Sequence, residues 1–196
     1  MTYTDATSAS TSDRSLERIL RVNHAGEHGA IRIYRAQIAL GRLLYPQLLP
    51  QLTEILGHEI EHETAFAGEM RRTGAKPCRL IGLWAVGGRA LGYLTGLMGA
   101  WGVSVCTAAV ECSVHRHLDD QIAFLEARDD QLKQVVERIQ VEEVSHIDFA
   151  LARHDPKTLP ARVLAKAVEI TTELLIIATT RGEARQMHRD IARRDR

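Results

Sequence analysis

The sequence predicts an all-α fold: a four-helix bundle built as two helix-pair repeats, with an additional short apolar helix and a C-terminal helix. Three observations predict it. Apolar residues recur at helical spacing along most of the chain, with only five prolines and no sustained strand alternation. Four of the helical stripes each carry an acid at mid-stripe. The acids are also evenly spaced. Glu27 to Glu59 and Glu111 to Glu143 are both 32 positions, and a shift of 84 carries Glu27, Glu59 and His62 onto Glu111, Glu143 and His146. The same shift carries Gln37-Ile38-Ala39 onto Gln121-Ile122-Ala123.

The elements follow in order. Residues 1–13 are Ser/Thr-rich without an apolar run and read as a disordered tail, neither a secretory signal nor a transit peptide, with Asp13 or Ser15 able to cap the first helix. That helix is expected over 14–44. The second starts near Pro50, a residue suited to a first turn, and stops before the RTGAKP breaker at 72–77. A glycine-rich apolar segment runs from Leu80 to Met98. Helices follow over about 100–127 and 130–154, and a last one leaves the HDPKTLP break near 160. The bundle domain is expected over 14–182, with a basic extension over 183–196 that reads as a solvated helix end or as a contact for an anionic membrane surface or acidic partner.

The chain has 196 residues, enough for one substantial core. Lys plus Arg equals Asp plus Glu at 25 each, which gives no reason to expect nucleic acid. Cys78, Cys106 and Cys112 form no C-x-x-C pair and are odd in number, so a disulfide framework or zinc knuckle is not expected and a reducing cytoplasm fits. Residues 90–110 hold 21 residues without a charge, long enough to span a bilayer. The surrounding glycines and the direct continuation into Glu111 argue instead for a segment shared between core and one membrane leaflet.

The acids carry the chemistry. Glu27 lies among Leu20, Ile31, Tyr34 and Ile38; Glu59 and His62 interrupt the stripe of Leu52, Leu56, Phe66 and Met70. Glu111 lies among Ser104, Leu118, Ile122 and Leu125, and Glu143 with His146 among Leu132, Val136, Ile139 and Ala150. A buried unpaired carboxylate costs several kcal/mol. Four of them need a shared positive charge, and the stripes supply no Lys or Arg. One Glu from each of two helices and Glu-x-x-His from each of the other two is the ligand set of a ferritin-like dimetal site. Glu27, Glu59, His62, Glu111, Glu143 and His146 are therefore the expected metal ligands. Their oxygen and imidazole donors suit two iron ions, with manganese possible and zinc disfavoured. His24, His115, Glu63 and Asp148 lie close enough to orient the ligands. Cys112 is expected as a small buried residue, and Trp84, Trp101 and Tyr93 either at a membrane interface or in the core.

RVNHAGEHGAIRIY (21–34), EIEHETAF (59–66), CTAAVECSVHRHLDDQI (106–122) and EEVSHIDFALARHD (142–155) resemble the demethoxyubiquinone hydroxylase family. The block LIGLWAVGGRALGYLTGLMG is similar to that family's membrane-facing segment. The resemblance covers residues 16–181. It implies a peripheral membrane di-iron monooxygenase; with no targeting sequence seen, the cytoplasmic face of a bacterial-type membrane is the expected location. It implies a lipid-tailed quinone as substrate, O2 as co-substrate, NADH as ultimate electron source, and a lipid-binding or biosynthetic complex partner. All six metal-ligand positions match. His28 stands where the family usually has Tyr, Cys112 where it has a second acid, and Leu118 where an aromatic is common. No Tyr stands near Ile177, and the chain continues past Arg181. These departures bear on the pocket and the electron route. The residues themselves also fit a ferroxidase or iron-storage protein, a lipid-binding protein with a structural dimetal site, or a manganese peroxide-decomposing enzyme.

Overall fold

The computed structural model describes residues 5–180, with side chains described for 14–176. Six α-helices and one 3₁₀ turn make up the described chain: α1 (Asp5–Leu44), the turn Pro46–Leu48, α2 (Leu49–Thr73), α3 (Ile81–Leu97), α4 (Gly99–Leu125), α5 (Asp130–Leu151) and α6 (Leu159–Thr180). No strand occurs among the described residues. The first helix starts at Asp5, ahead of the expected Asp13 or Ser15 cap. Once a helix is nucleated, adding a residue at its end needs no new nucleus. DATSASTSD contains nothing that forbids the extension. Residues 1–4 and the basic extension at 183–196 lie outside the described residues.

The helix ends have local causes. Pro50 sits in the first turn of α2. Asp129 caps α5, its carboxylate accepting from the Leu132 amide at 3.0 Å. Gly99, at φ +75°, opens α4 where the chain leaves α3. That left-handed turn falls inside the 21-residue uncharged run, so the run is shared between two helices that change direction. No helix among the described residues is long and apolar enough to cross a membrane.

α1, α2, α4 and α5 form the bundle. α3 packs along α1, and α6 along α4. The repeat therefore extends past the helix pair: each half is a pair plus an outer helix laid on its first member. The approach of α3 to α1 is close because glycine faces backbone. A Cβ on Gly92 would run into the Ile33 carbonyl and lie 2.9 Å from the Ala36 Cβ, and one on Gly88 would run into the Gly29 carbonyl. Gly92→Ala must push the helices apart. It is expected to cost about 1–3 kcal/mol, read as a lower denaturation midpoint with an unchanged slope.

Two apolar layers close the bundle. One holds Leu20, Phe66, Leu118, Leu125, Leu132 and Ile139. The other holds Tyr34, Tyr45, Leu52, Ile55 and Val103. On α1, Glu27 lies between Leu20 and Tyr34; on α2, Glu59 and His62 lie between Leu52 and Phe66. The acids are thus clamped between dry layers by position along each helix. Trp84, one of the interface candidates, is core: it is buried with Val22, Ala25 and Cys78 and packs over Gly29. Tyr93 is exposed and Trp101 half-buried. Cys112 is half-buried rather than buried, and the three cysteines are free thiols.

Candidate metal centre

All six expected ligands converge at mid-bundle, and none exceeds 5% exposure. They form two overlapping groups. Glu27, Glu59, His62 and Glu143 make one; Glu59, Glu111, Glu143 and His146 make the other; within each, one ligand atom per residue lies within 4.8 Å of the rest. Glu59 and Glu143 belong to both. Glu143 shows how: Oε1 lies 3.3 Å from His62 Nδ1, and Oε2 lies 3.2 Å from His146 Nδ1. Its two oxygens face the two histidines. His146 Nδ1 also lies 3.5 Å from Glu59.

The electrostatics of the cluster are those of crowded, buried acids. Burial pushes Glu59 and Glu111 well above the usual carboxylate range, and neighbouring acids, Glu143 foremost, push them further. Burial raises Glu27 to about 7, with His62 opposing and Glu143 adding. Glu143 goes the other way. Burial alone would raise it, but contacts from His146 and His62 hold it below the usual range. Burial would lower His62, yet Glu143 and Glu27 outweigh that and bring it to about 9. Glu59 Oε1, His62 Nδ1 and Glu143 Oε1 are buried without a hydrogen-bond partner. Such atoms are rare unless an ion or water completes them. Carboxylates that crowd each other, with buried donor atoms that lack a hydrogen-bond partner, fit divalent cations.

A pH dependence follows for the metal-free protein. A carboxyl whose folded value lies above its unfolded value stabilises the fold fully below the unfolded value and loses that contribution as pH rises to the folded one. For Glu27 the window runs from 4.5 to about 7, on the order of 3 kcal/mol for a fully buried group. His62 acts in the same direction, its contribution fading as pH climbs from 6.5 through about 9. Chelated protein should therefore melt lower at pH 8 than at pH 5, and metal-loaded protein should lose most of that slope. A chelated melting point that rises with pH in this window would contradict the reading.

Outside the six ligands, expectation and structure diverge. Glu63 pairs with His28 at 2.7 Å rather than with a ligand, and reaches Glu27 only through its charge. His24 and His115 make no hydrogen bond to the six; His115 lies 3.9 Å from Asp119. Asp148 is exposed. The residues that do touch ligands are Tyr34, whose hydroxyl donates to Glu111, Glu142 at 2.7 Å from His62 Nε2, and His58 at 3.0 Å from His146 Nε2. Position could have found the last two. Each lies four residues before a ligand histidine, one turn away on the same face.

A cavity of about 330 Å³ opens onto the cluster. Glu27, Glu59 and Glu111 form its inner end; Val22, Gly26, Ile33, Trp84, Leu91, Val110, Val114 and Leu174 are among its largely apolar walls, with contributions from α1, α3, α4 and α6. Outside it, α3 and α6 expose Leu83, Val86, Leu94, Leu97, Val163 and Ile170. Leu118 lies in the core layer, away from this cavity. Ile177 lies outside the described side chains.

A four-helix bundle with one Glu from each of two helices, Glu-x-x-His from each of the other two, and an apolar cavity ending on the acids is of the ferritin-like carboxylate–histidine class. Within that class, residues 14–179 match the family model described as "Ubiquinone biosynthesis protein COQ7", and the chain belongs to that family. It is 38% identical over 159 residues to the mitochondrial NADPH-dependent 3-demethoxyubiquinone 3-hydroxylase of Bos taurus, covering 79% of this chain and 71% of the relative. It is 34% identical over 167 residues to the 3-demethoxyubiquinol 3-hydroxylase of Rhodospirillum rubrum, covering 85% and 78%. To the mitochondrial 5-demethoxyubiquinone hydroxylase of Saccharomyces cerevisiae it is 28% identical over 181 residues, again covering 85% and 78%.

Proposed function

We propose that the protein is a 3-demethoxyubiquinol 3-hydroxylase, placing one oxygen atom of O2 on the ring of a lipid-tailed demethoxyquinol in ubiquinone biosynthesis. The observation that carries this reading is the apolar cavity ending on Glu27, Glu59 and Glu111. A ferroxidase would use the same ligands and has no need of it.

Glu27, Glu59, His62, Glu111, Glu143 and His146 would hold two iron ions, which supply the reduction and activation of O2. The balance is one oxygen into the ring, one into water, and two electrons with two protons consumed. Reducing equivalents come from a reduced nicotinamide: the resemblance implies NADH, and the names of the mammalian relatives specify NADPH. The rest is done by the chain. Tyr34 fixes Glu111 in place through its hydroxyl. The apolar walls exclude water, so a ring lying against Glu27 is held close to the cluster in a dry site. The isoprenoid tail leaves between α3 and α6, whose exposed apolar side chains rest on one leaflet of the cytoplasmic face. That face would also meet any lipid-binding or complex partner.

The test uses iron-reconstituted protein, a short-tailed demethoxyquinol and labelled O2, with the product weighed. One labelled oxygen in the ring is expected. Full iron occupancy with no ring label would remove the hydroxylase reading and favour the ferroxidase.

A further inference from the structure

The 84-residue shift that relates the two halves also carries His58 onto Glu142 and Tyr34 onto Leu118. At both pairs the halves differ in chemistry, and both differences fall on metal ligands.

The first lies behind the histidines. Each ligand imidazole turns Nδ1 toward Glu143 and leaves Nε2 for an outer partner. The partner comes from the opposite half. Glu142 Oε2 stands 2.7 Å from His62 Nε2, and His58 Nδ1 stands 3.0 Å from His146 Nε2. The His58 and His146 rings stack with centroids 5.3 Å apart and planes 15° apart. A carboxylate accepting the outer N–H makes an imidazole a stronger metal donor. An imidazole nitrogen carries no formal negative charge and does this less.

The second lies behind the end carboxylates. Tyr34 donates its hydroxyl to Glu111. That bond occupies a lone pair and draws charge from the oxygen. Its counterpart Leu118 has no donor to offer Glu27. Both asymmetries therefore weaken the same side.

Resting on the dimetal reading above, we infer that the two metal positions are unequal. The Glu27–Glu59–His62–Glu143 position binds first and more tightly, with Glu142 as its positioning residue. The Glu59–Glu111–Glu143–His146 position fills second. Glu27, on the tight side, also faces the cavity, so the ion held most firmly is the one beside the substrate.

The experiment titrates manganese(II) chloride into the metal-free full chain and follows paramagnetic resonance. The first equivalent should give the six-line signal of an isolated ion, and the second should replace it with that of a coupled pair. Charge repulsion alone could produce two steps, so the variants decide. Glu142→Gln should weaken the first step by roughly 10–100-fold and narrow the gap between steps. His58→Gln should act on the second step. Glu142 is one-third exposed, and a metal-free melting point equal to that of the unsubstituted protein checks that E142Q folds. Equal effects of E142Q on both steps, or no effect on either, overturn the inference and leave the dimetal reading standing. Failure of the unsubstituted chain to bind two ions overturns both.

Discussion

Glu59→Gln should abolish hydroxylation and, at neutral pH, raise the melting temperature of the metal-free protein. Glu59 belongs to both ligand groups, so no other residue except Glu143 is as costly to remove from the metal pair. An amide keeps the shape but cannot offset the charge of two cations. The metal content should fall from two ions to at most one, and the activity loss should exceed the ~10–100-fold that outer partners cost. Stability moves the other way. Burial, followed by Glu143, Glu111 and Glu27, holds the Glu59 carboxyl well above its usual range. Without metal, this side chain either ionises among like charges or keeps a proton against the solution pH. Gln does neither, and its NH₂ can donate to the acids around it. If activity needs the metal-binding cluster, that cluster would destabilise the empty fold, a known route to opposite signs for activity and stability. Metal analysis and calorimetry on chelated protein check both halves. A variant that retains two ions would show that Glu59 is not a shared ligand, and one that melts lower when empty would overturn the electrostatic account of the empty cluster.

The burial and convergence of the six candidate ligands were legible because a carboxylate on an apolar stripe is too costly to be incidental, and the 84-residue shift repeated the pattern. Periodicity says which face a residue is on, but it says nothing about what the neighbouring helix brings to that face. Glu142 and His58 sit beside ligands in sequence, yet their partners lie 80 and 88 residues away. Tyr34 read as a stripe residue and proved to be a donor to an acid 77 residues on. Trp84 shows the same limit: its burial depends on Gly29 leaving room for the ring across the α1–α3 contact. The break at Gly99 was legible only as composition. A run of glycines predicts irregularity, and only the left-handed φ fixes where the chain turns. The match of α6 to α3 was hidden because the outer helices share packing and exposure, not chemistry. Apolar faces can be rebuilt from different residues, whereas metal ligands cannot.

Gly26→Leu should abolish turnover while leaving metal binding and folding intact. Gly26 adjoins Glu27 and lines the cavity, and a Cβ placed there meets nothing within 4 Å. That openness separates it from Gly88 and Gly92, where the same atom would strike backbone. A leucine at position 26 has room, and it occupies the volume where the ring is proposed to lie. Replacing a helical glycine also removes backbone entropy from the unfolded chain and adds apolar contact, together worth about 1 kcal/mol in favour of the fold. The variant should bind two ions, melt at or above the temperature of the unsubstituted protein, and fail to label the quinol ring. Gly26→Ala, which fills less of the cavity, should be intermediate, with KM raised more than kcat is lowered. If G26L retained activity, the quinol would have to reach the cluster by another route. The cavity between α1, α3, α4 and α6 would then be a packing defect and not the substrate site. The two substitutions separate the requirements of the reaction: Glu59→Gln removes the metal pair and leaves the cavity, whereas Gly26→Leu fills the cavity and leaves the metal pair.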